Sequence, residues 1–314
     1  MGAVLAVGPY APTEAAALRE AFGALLLADL ADLAALPEAE RQSVAGLAYK
    51  GSEPLDGAVM DLLPGLRVIA NYGVGYDAID IAAATARRVQ VTNTPDVLND
   101  DVADLAVALL LAEARRLVAA ETWLRSGHWA AGETLPLARK LGGRRVGILG
   151  LGRIGREIAL RLAAFKCEIH YYSRAEKDTP GWVWHDSPLA LAGAVQDLVI
   201  AVVGGPQTEG LVSAEVIGAL GPDGVIVNIA RGSVIDEEAL IVALQTGRIR
   251  GAGLDVFRAE PAVDARLIAA GNTVLLPHIA SATVETRAAM AALQRRNLYA
   301  VLAGEAAVTP VNQI

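Results

Sequence analysis

Arg231, Asp255, Glu260 and His278 each follow a short apolar run. Val225 to Ile229 leads into Ala230-Arg231-Gly232, Ala252 to Leu254 into Asp255 and then Glu260-Pro261, and Val274 to Leu276 into Pro277-His278. Such runs predict strands, and in a doubly wound parallel sheet the carboxyl ends of the strands face one crevice. An arginine, two carboxylates and a histidine then meet. That set suits reduction of an α-keto acid by hydride. A guanidinium grips a carboxylate through paired hydrogen bonds and polarises the adjoining carbonyl. An imidazolium gives a proton to the nascent alkoxide, and in the reverse direction the neutral ring takes it back. A carboxylate beside that ring, here Glu260, orients it and stabilises its protonated form. The remaining histidines, His128, His170 and His185, have no such setting and read as structural.

Hydride chemistry needs a dinucleotide, and the stretch Arg145 to Gly155 is built to hold one. The run Val146 to Leu149 enters Gly150-x-Gly152-x-x-Gly155, and Ile154, Ile158 and Leu162 then recur at helical spacing. Strand, glycine turn and helix follow one another without a gap. The first glycine permits the turn, the second lets backbone approach a pyrophosphate, and the third brings helix against strand. The turn residues are Gly150, Gly152, Arg153, Ile154 and Gly155. The next strand, Glu168 to Tyr172, ends in Ser173-Arg174 with Lys177 close behind, where such units usually place an acid for the ribose hydroxyls. A hydroxyl and a guanidinium bind a 2′-phosphate that a carboxylate would repel, so NADP is preferred over NAD. The alternative is that Arg174 stacks on the adenine and both cofactors are used.

The elements that carry these residues alternate along the chain. Ala3 to Val7, Val44 to Ala48, Arg67 to Ala70 and Val89 to Thr92 read as strands separated by helical patterns, the first helix spanning Thr13 to Phe22 with Thr13 as its cap. That alternation predicts a parallel sheet covered on both faces. Asn71 to Asp77, with Gly73 and Gly75, forms a loop directly after a strand, placed to offer backbone N–H groups. Near Thr94-Pro95-Asp96 the pattern changes. Asn99 and Asp100 cap a long helix whose Val102, Leu105, Ala106, Leu109, Leu110 and Leu117 form an apolar face running on toward Trp123. A proline-marked crossover before a long helix is a hinge, so two α/β domains are expected. The first is discontinuous and flavodoxin-like, residues 1–98 plus 286–314; the second, residues 99–285, is a Rossmann-type domain inserted in it.

Composition excludes other classes. Of 314 residues, 54% are hydrophobic and 20% charged, which describes packed domains and not a disordered chain. A net charge of −8 without a basic tract argues against nucleic acid and anionic membrane as partners. Asp29, Asp32 and Asp104 interrupt the best apolar stretches, so no bilayer span is expected. The single cysteine, Cys167, has no disulfide partner in the chain and fits a reducing cytoplasm.

Six blocks, in order, carry a family resemblance: NYGVGYDAID at 71–80, DDVADLAVALLLA at 100–112, GILGLGRIG at 147–155, NIARGSVIDEEAL at 228–240, GAGLDVFRAEP at 251–261 and LPHIAS at 276–281. The chain resembles the D-specific 2-hydroxyacid dehydrogenases and is similar to their glyoxylate/hydroxypyruvate reductase branch. The resemblance implies that Arg231 binds substrate, His278 is the acid/base and Glu260 its partner. It implies that Val74 and Gly75 hold the substrate carboxylate through backbone N–H groups. Asp255 matches a residue near the nicotinamide, and Thr208 one of the pyrophosphate region; Ile229 and His278 complete the cofactor set. The run Val203 to Gln207 departs from the proline-rich loop of the family. The family is usually dimeric through the helix starting near Asp100, with Trp129 reaching toward the neighbouring subunit. The expected substrate is a small 2-ketoacid such as glyoxylate or hydroxypyruvate. Bulkier 2-ketoacids such as phenylpyruvate, and a dinucleotide-sensing protein of the corepressor type, remain alternatives.

Overall fold

The computed structural model describes residues 2–314. It divides into two compact units, the first comprising the chain up to Leu98 together with Ala282–Ile314, the second Asn99–Ser281. Met1 lies outside the described residues. The return to the first unit comes at 282 and not at 286. Thr283 accepts the Thr286 N–H and caps the helix Val284–Ala303, so the cap belongs with the helix it starts.

The first unit is a five-stranded, all-parallel sheet of β1 (Ala3–Val7), β2 (Leu25–Leu27), β3 (Val44–Tyr49), β4 (Val68–Asn71) and β5 (Gln90–Thr92), in the order β2-β1-β3-β4-β5. Every residue of β3 is buried, as expected of a strand covered on both faces. Leu47, Ile69 and Val91 pack with Leu33, Leu55 and Met60 on one face. Val4, Ala48 and Val68 pack with Leu298 and Leu302 on the other. The last helix therefore joins the core on one face of a sheet that begins some 280 residues earlier in the chain. The first helix runs Pro12–Phe22, and its cap is Ala11, not Thr13. Pro12 sets the first helical φ, and Glu14 accepts the Ala11 N–H at 2.8 Å, so the start needs no side-chain oxygen from Thr13.

The second unit is a seven-stranded, all-parallel sheet. Its strands are β6 (Arg145–Leu149), β7 (Glu168–Tyr172), β8 (Val183–His185), β9 (Asp197–Ile200), β10 (Val225–Asn228), β11 (Gly251–Leu254) and β12 (Thr273–Leu275). The order is β12-β11-β10-β9-β6-β7-β8, so the strand order reverses between β6 and β9. That switch point is where the glycine turn leaves β6. The long helix expected to run from Asn99 toward Trp123 is two helices, Asn99–Arg115 and Leu117–Arg125. Arg116 between them is left-handed, with φ 53°, and breaks the hydrogen-bond ladder that an unbroken apolar stripe had suggested. His170 and His185 stack on each other with their ring nitrogens 2.9 Å apart, and Cys167 is buried, so all three fill structural places. Among the described residues no helix is long and apolar enough to cross a membrane.

Candidate active site

The glycine turn fits a dinucleotide. Gly150 has φ 102°, and a Cβ on Gly155 would stand 2.0 Å from the Gly150 carbonyl oxygen, so helix and turn touch only because side chains are missing. Over Gly152 nothing lies within 4 Å, which leaves the backbone open to a bulky anion. The helix Arg153–Ala164 starts there without a side-chain cap, so its first N–H groups and its positive end face that opening. Beyond β7, Arg174 and Lys177 are exposed and Ser173 is half-buried. The Ser173 hydroxyl donates to the Ala175 carbonyl at 2.6 Å, and the Lys177 N–H donates to the buried Tyr171 hydroxyl at 2.9 Å. Thr208 Oγ1 donates to the Val203 and Gly205 carbonyls at 2.7 and 3.2 Å, closing its own loop.

Three successive strand ends build the reacting group of residues. β10 stops at Asn228, one residue before the expected Ile229, because the Asn228 side chain closes a turn. Its Nδ2 donates to the Arg231 carbonyl at 2.9 Å and its Oδ1 accepts the Ala230 N–H at 3.0 Å. Arg231 is half-buried, and its Nη1 donates to the Ala230 carbonyl at 2.7 Å. A Cβ on Gly232 would fall 1.9 Å from the Phe257 carbonyl carbon, so only glycine lets the Arg231 turn lie against the loop that carries Glu260. Glu260 accepts the Phe257 N–H through Oε1 at 2.9 Å and faces His278 Nδ1 through Oε2 at 2.7 Å. Burial raises the Glu260 carboxyl. The hydrogen bonds from His278 and Phe257, with the field of His278 and Arg231, outweigh that and hold it below the usual carboxylate range.

His278 itself occupies the left-handed region at φ 54°, costly for a residue with a side chain, on the order of 1–3 kcal/mol. Asp255 offsets that cost. Its carbonyl accepts the His278 N–H at 2.9 Å, and its two carboxylate oxygens accept the Ile279 and Ala280 N–H groups at 2.8 and 2.9 Å. The side chain is fully buried, which pushes its carboxyl above the ordinary range although the two N–H bonds oppose the shift. Asp255 thus shapes the turn that aims His278. Arg231, Glu260 and His278 come together in the second unit, while Val74 and Gly75 stand in the first.

At these strand ends the sequence reading missed Asn228 altogether and missed the turn-holding role of Asp255. A single polar residue closing an apolar strand was the available signal, and Asn228 in Val225-Ile-Val-Asn228 shows it.

Comparison with known proteins agrees with this geometry. Residues 107–280 match the family described as D-isomer specific 2-hydroxyacid dehydrogenase, NAD binding domain. Hydroxyphenylpyruvate reductase of Plectranthus scutellarioides is 44% identical over 280 residues, 89% of this chain and 88% of that protein. Glyoxylate/hydroxypyruvate reductase A of Arabidopsis thaliana is 45% identical over 276 residues, 88% of each chain. The crystal structure of an NADPH-dependent glyoxylate/hydroxypyruvate reductase from Sinorhizobium meliloti, in complex with NADP and malonate, superposes with a TM-score of 0.93 at 44% identity, covering 99% of this chain and 97% of that one. With a dinucleotide turn at a switch point and an Arg, Glu and His set at the adjoining strand ends, the chain belongs to the D-isomer specific 2-hydroxyacid dehydrogenase family.

Proposed function

We propose that this enzyme reduces a small 2-ketoacid, glyoxylate or hydroxypyruvate, to the D-2-hydroxy acid, with NADPH preferred over NADH. The observation that carries the reading is the 2.7 Å contact between His278 Nδ1 and Glu260 on the strand ends beside Arg231. Gly150, Gly152, Arg153, Ile154 and Gly155 would hold the dinucleotide at its pyrophosphate, and its reduced nicotinamide would supply the hydride. Arg231 binds the substrate carboxylate and draws electron density from the carbonyl. In the first unit, Val74 and Gly75 offer backbone N–H donors of the kind that hold a carboxylate. Because Nδ1 of His278 is engaged by Glu260, Nε2 is the atom that hands its proton to the alkoxide oxygen, leaving a neutral ring still oriented by Glu260. Asp255, Thr208 and Ile229 shape the surrounding cofactor contacts.

Ser173 and Arg174 support the NADP preference, since a hydroxyl and a guanidinium stand directly after β7 where a carboxylate would repel a 2′-phosphate, with Lys177 further along between Glu176 and Asp178. A second reading, reduction of arylic 2-ketoacids, has its support in the name of the Plectranthus relative. Initial rates on glyoxylate, hydroxypyruvate, pyruvate and phenylpyruvate, each with NADPH and NADH, separate the two. Fast turnover of the two smallest oxidised acids is the expected result, and preference for phenylpyruvate would replace the first reading by the second. In the same assay Arg174→Ala is expected to raise KM for NADPH about tenfold or more, the loss of one charge-assisted contact, and to spare NADH. Equal effects on both cofactors would remove the 2′-phosphate role.

We also propose that a second copy of the chain packs on the helix starting near Asp100 and on the segment after it, where Leu117, Val118, Leu124, Trp129 and Leu137 are exposed. Trp129 is 69% exposed and Leu137 98%, a concentration of large apolar side chains that water does not favour. Light scattering is expected to give the mass of a dimer, and a monomer at micromolar concentration would overturn the assignment.

A further inference from the structure

The loop that follows β4 is rich in glycine, yet its peptide planes are not free to turn. Asn71, the last residue of β4 and 5% exposed, donates through Nδ2 to the carbonyls of Gly73 at 3.2 Å and Gly75 at 2.8 Å. Asn93, just beyond the neighbouring strand β5, donates through Nδ2 to the Val74 carbonyl at 2.9 Å. The Thr94 N–H gives Gly73 a second donor at 2.9 Å. Three consecutive carbonyls are therefore held, each by a side chain or N–H from a strand end.

A trans peptide is planar, with its C=O and N–H on opposite sides. Holding the Gly73 carbonyl fixes the direction of the Val74 N–H, and holding the Val74 carbonyl fixes that of the Gly75 N–H. Each N–H is turned away from the asparagine that grips its own plane. Among the described residues neither N–H donates to another group of the protein. Asn93 is anchored in turn, its backbone carbonyl accepting the Thr309 hydroxyl at 2.6 Å and its N–H reaching the Thr309 carbonyl at 3.4 Å.

We propose that Asn71 and Asn93 are positioning residues for substrate binding, locking the peptide planes of the Gly73 to Gly75 loop so that the Val74 and Gly75 N–H groups form a preset cradle for a carboxylate. This rests on the reading that those two N–H groups hold the substrate carboxylate. Without the clamp, the two glycines would have to be ordered at each binding event, and donors set in advance avoid that cost. The asparagines touch no reacting atom. Their loss weakens the grip on the acid and leaves proton and hydride transfer in place.

The test uses the whole enzyme with NADP and oxalate as a carboxylate probe. Asn93→Leu keeps the side-chain size and removes the donor. It is expected to raise the oxalate dissociation constant and KM for the ketoacid about tenfold, the worth of one hydrogen bond, with kcat changing less than KM and NADPH affinity unaltered. A kcat loss as large as the KM rise, or an equal loss of NADPH affinity, would point to general disruption and overturn the proposal. Asn93→Ser gives the same readout should the leucine variant not fold. In parallel, the Val74 and Gly75 amide resonances of the ¹⁵N-labelled wild type are followed as oxalate is added. Amides that do not respond would overturn the carboxylate reading of the loop and the clamp with it. Amides that respond, beside an Asn93 variant that binds oxalate like the wild type, would overturn the clamp alone.

Discussion

His278→Ala is expected to lower kcat by about 10²–10⁴-fold, the usual contribution of one placed acid/base, while the dissociation constant for NADPH stays within about twofold. The split follows from where the ring stands. Its Nδ1 is taken by Glu260 at 2.7 Å, its backbone is tied to Asp255, and half of its side chain is exposed toward solvent, so a substrate can reach Nε2. Removing the ring takes away the proposed proton donor and leaves the glycine turn, more than 120 residues earlier and after a different strand, as it was. Glu260 keeps its Phe257 N–H, so its carboxylate does not become an orphan that distorts the loop. Stopped-flow measurement of NADPH binding beside steady-state turnover of glyoxylate checks both halves. An unchanged kcat would take proton transfer away from His278, and a parallel loss of NADPH affinity would make the residue a structural one.

Arg231→Ala is expected to lower kcat/KM for the ketoacid by about 10²–10³-fold or more, with both kcat and KM affected. Two effects act together. On the proposed reading the guanidinium binds the carboxylate and stabilises the negative charge that develops on the carbonyl oxygen. It also contributes to holding Glu260 below the usual carboxylate range, so its removal weakens the partner of the proton donor as well. Arg231→Lys restores the charge without the planar fork, and is expected to recover only part of the loss. Rates across a series of keto substrates with and without a carboxylate give the check. A variant whose penalty is the same for a neutral ketone as for glyoxylate would show that Arg231 does not recognise the carboxylate.

How far these residues could be read from the chain depends on how local their causes are. The glycine turn was legible because strand, turn and helix are contiguous, and the steric demand of Gly155 against Gly150 arises within six residues. Arg231, Glu260 and His278 were legible because each follows its own apolar run, and parallel topology sends those ends to one side of the sheet. β9 was not foreseen. It opens on Asp197, a charge that looks wrong in a buried strand until Arg144, 53 residues away, grips both of its oxygens at 2.6 and 2.7 Å.

Composition, periodicity and glycine spacing by themselves determined the α/β class and the residue types available for hydride and proton transfer. Only the tertiary structure decided that the long helix breaks at Arg116, that Ala11 with Glu14 starts the first helix, and that the last helix caps itself at Thr283. It alone decided that Asp255 shapes the His278 turn and that Asn71 and Asn93 hold the Gly73 to Gly75 loop. The physical reason is one of range. Helical and strand periodicity come from neighbours a few residues apart, whereas a hydrogen bond such as that of Asn93 to Val74 exists only once β4 and β5 have paired and brought their ends side by side.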